Sequence, residues 1–418
     1  MSTRPSRPHQ AAPLHLAVAL DGAGWHPAAW QEPGARATEL FTGRYWTDTV
    51  RTAEQGLLDF VTIEDSLVLQ SEDPFGATAT PRTDRVRGRL DALLVAASVA
   101  SLTRHVGLVP TVTTTHTEPF HVSKSVATLD HASKGRAGWR VQVGGAVGET
   151  AHFGRRDLPV VGRDFATDPD ALAALRERFD EAADHVEVVR RLWDSWEDDA
   201  EIRDVATGRF IDRDKLHYVD FDGPYFGVRG PSITPRPPQG QPVVTALAHH
   251  RITYELAATS ADVVFVTPHD DGDARSILAQ VRDAEHRVAR EAVPLVVFAD
   301  LLVVLADTTE AARQRRRRLD EAAGSPLSSD ASVFTGTAAD LASLLLRWQA
   351  LGYAGFRLRP AVVADDLPAI VDQLVPALQR VDAFRTAYAH GTLRERLGLP
   401  AAVNRYAIPA IAADRTLP

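Results

Sequence analysis

Several short stretches of this chain end in side chains able to bind a small molecule or move a proton. DGAGWHPAAWQEPGA (21–35) carries His26 and Trp30. DFVTIED (59–65) closes on Glu64 and Asp65, and VGLVPTVT (106–113) brings Thr111 and Thr113 ahead of Thr114, Thr115 and His116. GWRVQV (138–143) presents Trp139 and Gln142 before the glycine-bearing GGAVGET (144–150). PVVTALA (242–248) ends in Ala248, followed by His249, His250 and Arg251 at the start of a helical pattern. A helix N-terminus offers unpaired N–H groups and a positive dipole end, which suits a phosphate, and the two imidazoles and the guanidinium add donors. Polar groups that converge from separate strands onto one end make a small-molecule site. Each alone has a plainer reading. A single histidine is commonly structural, an aspartate before a loop is often a cap or turn residue, and threonine favours strands by propensity.

Other chemistries lack their residues. The chain has no cysteine, which excludes thiol nucleophiles, disulfides, zinc–thiolate sites and iron–sulfur clusters. There is no GxSxG elbow, no P-loop and no GxGxxG after a strand. Glu64 and Asp65 are strand neighbours, so they point to opposite faces and cannot form a facing carboxylate pair. His249 and His250 stand outside any HxH or HExxH spacing, so no metal site is expected.

These residues need a scaffold, and the apolar pattern specifies one. Eight β-rich runs, at 14–20, 59–65, 106–113, 138–143, 242–248, 261–267, 293–306 and 354–360, alternate with amphipathic stretches such as 90–103 and 338–352. Near-continuous Val/Leu/Ala runs are the mark of strands buried on both faces. Eight of them joined by helices fit an α/β fold of the (β/α)8 TIM-barrel type, with a doubly wound open sheet as runner-up. The gap between the fourth and fifth runs is roughly a hundred residues, too long for one crossover. It is read as an insertion of about 145–241. It contains a helix over 170–196, with Leu175, Phe179, Ala182, Val186 and Val189 at three- and four-residue steps and Asp168-Pro169 as its start signal. The aromatic, Gly/Pro-rich stretch after it reads as ordered short strands. GGAVGET is read as a strand-to-helix loop, and RQRRRRLD (313–320) as a solvated helical face. The organisation expected is a disordered leader (1–13), a single barrel domain (14–400) and a C-terminal tail (401–418). The 418 residues carry a net charge of −9, a poor match to a nucleic-acid partner. No signal sequence or membrane-spanning run is evident, which places the protein in the cytoplasm with no membrane association.

TEPFHVSKSVATLDHASKGRAGW (117–139) resembles the flavin-dependent monooxygenases of the bacterial-luciferase superfamily, closest to the branch of nitrilotriacetate, dibenzothiophene-sulfone and long-chain alkane monooxygenases. DFVTIEDSL (59–67), FDEAADHVEVVRRLWDSWEDDA (179–200), FDGPYFGVRGPSITPRPPQGQPVV (221–244) and TLRERLGLP (392–400) are similar to further motifs of that branch. The resemblance implies reduced FMN as co-substrate, molecular oxygen, a small organic substrate, a separate flavin reductase and a homodimer or homotetramer. It places Asp65, Thr111 and Thr113 near the flavin and gives Trp139 to an apolar wall. It makes His26 the candidate for protonating or steadying the flavin–oxygen adduct. This sequence departs from the branch at three places. Phe179 stands where a tyrosine hydroxyl contacts FMN. Ala248, His249, His250 and Arg251 lie in the loop that elsewhere carries serines for the phosphate. Arg140 replaces the asparagine after GRAGW. The same fold also serves F420-dependent oxidoreductases and non-catalytic ligand-binding relatives, which are the alternative readings.

Overall fold

The computed structural model describes residues 13–70, 82–156, 158–159, 161 and 167–407. Residues 1–12 of the expected leader (1–13) and the part of the expected tail beyond Ala407 lie outside the described residues. The first strands are β1 (His15–Leu20), β2 (Phe60–Ile63), β3 (Gly107–Thr113) and β4 (Gly138–Gln142). The insertion contributes β5 (Glu201–Asp204), β6 (Arg209–Ile211), β7 (Phe221–Asp222) and β8 (Gly227–Val228). The remaining strands are β9 (Val243–Leu247), β10 (Val263–Val266), β11 (Val296–Leu305), β12 (Ser332–Gly336) and β13 (Gly355–Pro360). A parallel ring runs β1-β2-β3-β4-β9-β10-β11-β13 and closes where β13 pairs with β1, His15 opposite Gly355. All eight expected strands are present, in a closed barrel and not in an open sheet. The sequence reading did not anticipate β12. It exists because β11 has 10 residues and β10 only four. Past the end of β10, the free edge of β11 pairs with β12, Leu301 opposite Ser332.

Helices cross between the strands. They include α1 (Gly43–Gln55), α2 (Ala92–Ala100), α3 (Pro119–Ser133), α4 (Val147–Phe153), α5 (Pro169–Asp194), α6 (Arg251–Ser260), α7 (Asp271–Arg287), α8 (Thr309–Ala323) and α9 (Ala338–Leu351). GGAVGET is thus a short loop running into α4, and the basic run lies on α8. In α5, Asp168 Oδ1 accepts from the amides of Asp170 (3.0 Å) and Ala171 (3.3 Å), and Pro169 opens the first turn. Alternation divides each strand. Val18, Leu108, Trp139, Val264 and Leu358 face the helices, whereas Ala17, Phe60, Val109, Val243, Phe265 and Phe298 fill the lower barrel. Leu393, Leu397 and Leu399 plug the bottom. Gly107 is required there, since a Cβ would lie 2.8 Å from both Leu393 Cδ1 and Phe60 Cβ. The segment 401–407 docks on α5, with Asn404 Nδ2 donating to the carbonyls of Asp194 and Trp196, both at 2.8 Å.

Candidate active site at the strand ends

Above the apolar floor the barrel interior changes character. Asp300 is fully buried between two arginines. Arg357 Nε donates to Oδ1 at 2.9 Å, and Arg359 donates to Oδ2 from Nε (3.0 Å) and Nη2 (2.6 Å). Arg357 Nη1 reaches Thr62 Oγ1 (3.2 Å) and Glu64 Oε1 (3.3 Å), and Arg140 Nη1 lies 2.9 Å from Glu64 Oε2. Arg359 Nη1 continues the chain to Asp330 Oδ1 at 2.6 Å, and His249 Nε2 stands 3.4 Å from Asp330 Oδ2. Burial opposes ionisation of Glu64 and Asp300, but the neighbouring guanidinium groups overcome it and hold both carboxyls below the ordinary range. Arg357 also lies 4.2 Å over the Phe265 ring, where the charged level meets the apolar one.

A cavity of about 410 Å³ opens beside this level, between the β3 and β4 loops and α5, with His116, Gly144, Glu149 and Arg178 in its lining. The Gly144 amide donates to Thr115 Oγ1 at 2.9 Å, tying the two loops together. A side chain at Gly144 would put Cβ 2.5 Å from Glu149 Oε2. His116 holds a left-handed φ of 70° and stacks on Phe153 at 4.9 Å. Burial, then Arg156 and Arg178, lower its pKa, so it is neutral.

The expected site residues divide into those the barrel gathers and those it does not. Thr111 and Thr113 face inward, and Thr111 Oγ1 accepts from Arg140 Nη1 at 3.0 Å. Phe179 and His250 meet edge to face at 6.4 Å, joining α5 to the start of α6. His249 turns into the mouth instead of toward that helix start. Its Nδ1 is 3.0 Å from Thr267 Oγ1, and burial lowers its pKa. Thr253 Oγ1 takes the amides of both His249 (3.0 Å) and His250 (3.1 Å). Asp65 points away from the interior. Its carboxylate accepts from the amides of Ser66 (2.7 Å) and Ala92 (2.9 Å), so it secures the entry to α2, and Glu64 is the inward acid. Trp139 is wholly buried on the outer face of β4, beside His185 of α5 at 5.8 Å. It is helix-layer core and forms no wall of the mouth. Ala248 is likewise buried outward, its amide bonded to Phe265 O at 2.9 Å. The Arg251 side chain is exposed and pairs with Glu255 at 2.9 Å, which leaves it out of the mouth. His26 is buried with both ring nitrogens engaged, Nδ1 accepting from the Ala28 amide (3.1 Å) and Nε2 lying 3.1 Å from Asp320 Oδ1.

Asp300, Arg357, Arg359 and Arg178 were not singled out from the sequence, whereas His116 was named there as a strand-end group and Arg140 as a departure from the branch. The signal for most of them was strand parity. Thr111 inward fixes its cross-strand partner Arg140 inward, and the alternation in AGFRLRP puts Arg357 and Arg359 on one face.

The molecule is therefore a closed (β/α)8 barrel with a plugged floor, a charged upper interior and polar groups gathered at the C-terminal strand ends, the end where enzymes of this fold place their sites. The model of the luciferase-like monooxygenase family matches residues 24–365, and the chain belongs to that family. It is 30% identical to the N-acetyl-S-(2-succino)cysteine monooxygenase of Bacillus subtilis (strain 168), over 94% of this chain and 98% of the relative. It is 28% identical to nitrilotriacetate monooxygenase component A of Aminobacter aminovorans, over 95% and 99%. The solved structure of a riboflavin lyase with modified FMN and riboflavin superposes with a TM-score of 0.80 at 23% identity, covering 93% of this chain and 97% of that one, a likeness of fold. Among the described residues no helix is long and apolar enough to cross a membrane.

Proposed function

We propose that this protein is a monooxygenase that takes reduced FMN from a separate reductase and uses molecular oxygen to oxygenate a small organic molecule. The observation that carries the reading is the family membership over residues 24–365, joined to a polar upper barrel that opens at the strand ends. The residues present fit a flavin. Thr111 and Thr113 present inward hydroxyls near the strand ends, and the buried Thr245 Oγ1 has no partner among the described residues. Two first-turn amides of α6, those of Arg251 and Ile252, lack intrahelical acceptors and suit the phosphate, while the His250 side chain caps the Thr253 amide and forms with Phe179 the wall beside them. When bound, reduced flavin supplies the electrons that activate oxygen.

The chain's own part is positioning and exclusion of water. Thr115 and Gly144 hold the β3 and β4 loops as one rim. With both nitrogens engaged, His26 ties the first loop to Asp320 of α8, which supports the steadying rather than the protonating role that the resemblance gave it. His249, bonded to Thr267 Oγ1 and 3.4 Å from Asp330 Oδ2, borders the mouth.

The test is an anaerobic titration with reduced FMN, oxidised FMN and F420 in parallel, followed by oxygen-uptake measurements. Selective binding of reduced FMN is expected. Preference for F420, or binding of none, overturns the reading.

A further inference from the structure

One donor edge inside the barrel has no acceptor among the described residues. Arg140 is only 6% exposed, and its hydrogen bonds to Thr111 Oγ1 (3.0 Å) and Gln142 Oε1 (3.3 Å), like its ion pair with Glu64, all run through Nη1. Its Nε is buried with no partner among the described residues. The Nε–Nη2 side of a guanidinium is the fork that grips two acceptor atoms at once. Thr245 pairs with Arg140 across β4 and β9, is fully buried, and its Oγ1 is also without a partner among the described residues. Buried polar groups in native proteins are almost always satisfied, so two orphans on adjacent inward positions mark a place for a ligand.

The charge of the level points to an anion. Three inward guanidinium groups, Arg140, Arg357 and Arg359, share two buried carboxylates, Glu64 and Asp300. The third carboxylate, Asp330, has 43% of its side chain exposed at the rim. An arginine serving only to neutralise Glu64 would face it with the fork, whereas Arg140 uses a single nitrogen.

We propose that the free edge of Arg140, with the Thr245 hydroxyl beside it, is the seat of the N1–C2=O side of the reduced isoalloxazine, the part that carries the negative charge of the anionic reduced flavin. The inference rests on the function proposed above and deepens it. Arg140 is bonded to Thr111, the residue expected at the ring edge, and a cation there favours the reduced form over the neutral oxidised one. The same two-point acceptor chemistry could come from a substrate carboxylate, and the experiment separates the two sources.

Reduced and oxidised FMN are titrated against wild type, Arg140→Met combined with Glu64→Gln to keep the interior charge balanced, Arg140→Lys, and Thr245→Val. The double variant is expected to lose about tenfold or more in affinity for reduced FMN and much less for oxidised FMN. Its bound-flavin midpoint potential should fall by about 30 mV for each tenfold of lost discrimination. Arg140→Lys keeps a charge but not the fork and should lose part of the preference. Thr245→Val should shift it in the same direction by less, and these two milder variants carry the test if the double variant fails to fold. Equal losses for both flavin forms, or an unchanged ratio, overturn the assignment. So does thermal stabilisation by succinate that vanishes in Arg140→Lys while the flavin ratio stays fixed, which gives the edge to a substrate carboxylate. A wild type that binds no reduced FMN overturns the functional reading as well. A wild type that prefers it, with variants that keep the preference, overturns the Arg140 assignment alone.

Discussion

The lower and upper halves of the barrel interior are built on the same strands, two residues apart, and solve burial in opposite ways. In the lower half Phe60, Phe265 and Phe298 interlock with ring centroids 5.6–6.1 Å apart and are sealed by the leucines of the C-terminal plug. In the upper half Asp300 and Glu64 are kept ionised by three arginines. An apolar floor gains from area removed from water and depends little on pH. A buried ion network gains from geometry, and it is unforgiving when one member is removed, because the remaining charges are left uncompensated. The protein accepts that vulnerability at the level proposed to hold the flavin.

The largest expected effect follows from this contrast. Asp300→Ala strips both Arg357 and Arg359 of their shared carboxylate and should cost about 3–5 kcal/mol in urea unfolding at pH 7.5. A loss below about 1 kcal/mol would mean that the upper half tolerates free buried cations, and the contrast would fail.

A buried base without a counter-charge sharpens the comparison. His185 on α5 is 1% exposed, packs between Trp139 and Phe226, and burial alone pushes its pKa down to about 3. The unfolded chain takes up this proton near pH 6.5, so the native state is favoured fully above that value. It loses the advantage as pH falls toward 3, at up to about 1.4 kcal/mol per unit. By pH 5 the loss should be roughly 2 kcal/mol. His185→Leu should remove that part of the slope between pH 7.5 and 5.0, measured by urea midpoints. An unchanged slope would assign the acid sensitivity to other groups.

On the apolar side, Phe298→Leu shortens one of three interlocked rings and should cost about 1–1.5 kcal/mol. The cost should be the same at pH 7.5 and 5.0, unlike that of His185→Leu. A pH-dependent cost would show that the floor and the charged level are mechanically coupled through Phe265, over which Arg357 stacks.

How well the sequence revealed this molecule follows the same divide. The apolar runs were long and bounded, so all eight ring strands could be placed, as could α5 with its Asp168 cap. The charged level was harder to see because hydropathy reads arginine and aspartate as surface. Asp300 lies inside the apolar run 293–306, and its partners Arg357 and Arg359 lie 57 and 59 residues away. Parity was available and decisive. It distinguishes inward Glu64 from outward Asp65, and inward Arg140 from outward Trp139. A motif resemblance marks neighbouring residues alike, but a strand sends them to opposite faces. β12 was missed because it depends on how far β11 outruns β10, a property of paired lengths that no local pattern carries.

The smallest effect separates the two ends of the proposed flavin site. Phe179 stands edge-on to His250 beside the start of α6, where the phosphate would sit, and it has no hydroxyl to offer. Phe179→Tyr adds one. A neutral hydrogen bond contributes about 1 kcal/mol, so FMN affinity should rise by about fivefold with unfolding stability unchanged. The phosphate is the same in both oxidation states, so reduced and oxidised FMN should gain equally. That uniform gain is the counterpart of the discriminating loss expected at Arg140. A gain confined to reduced FMN would place the isoalloxazine, not the phosphate, beside Phe179 and would reverse the orientation of the flavin across the barrel mouth.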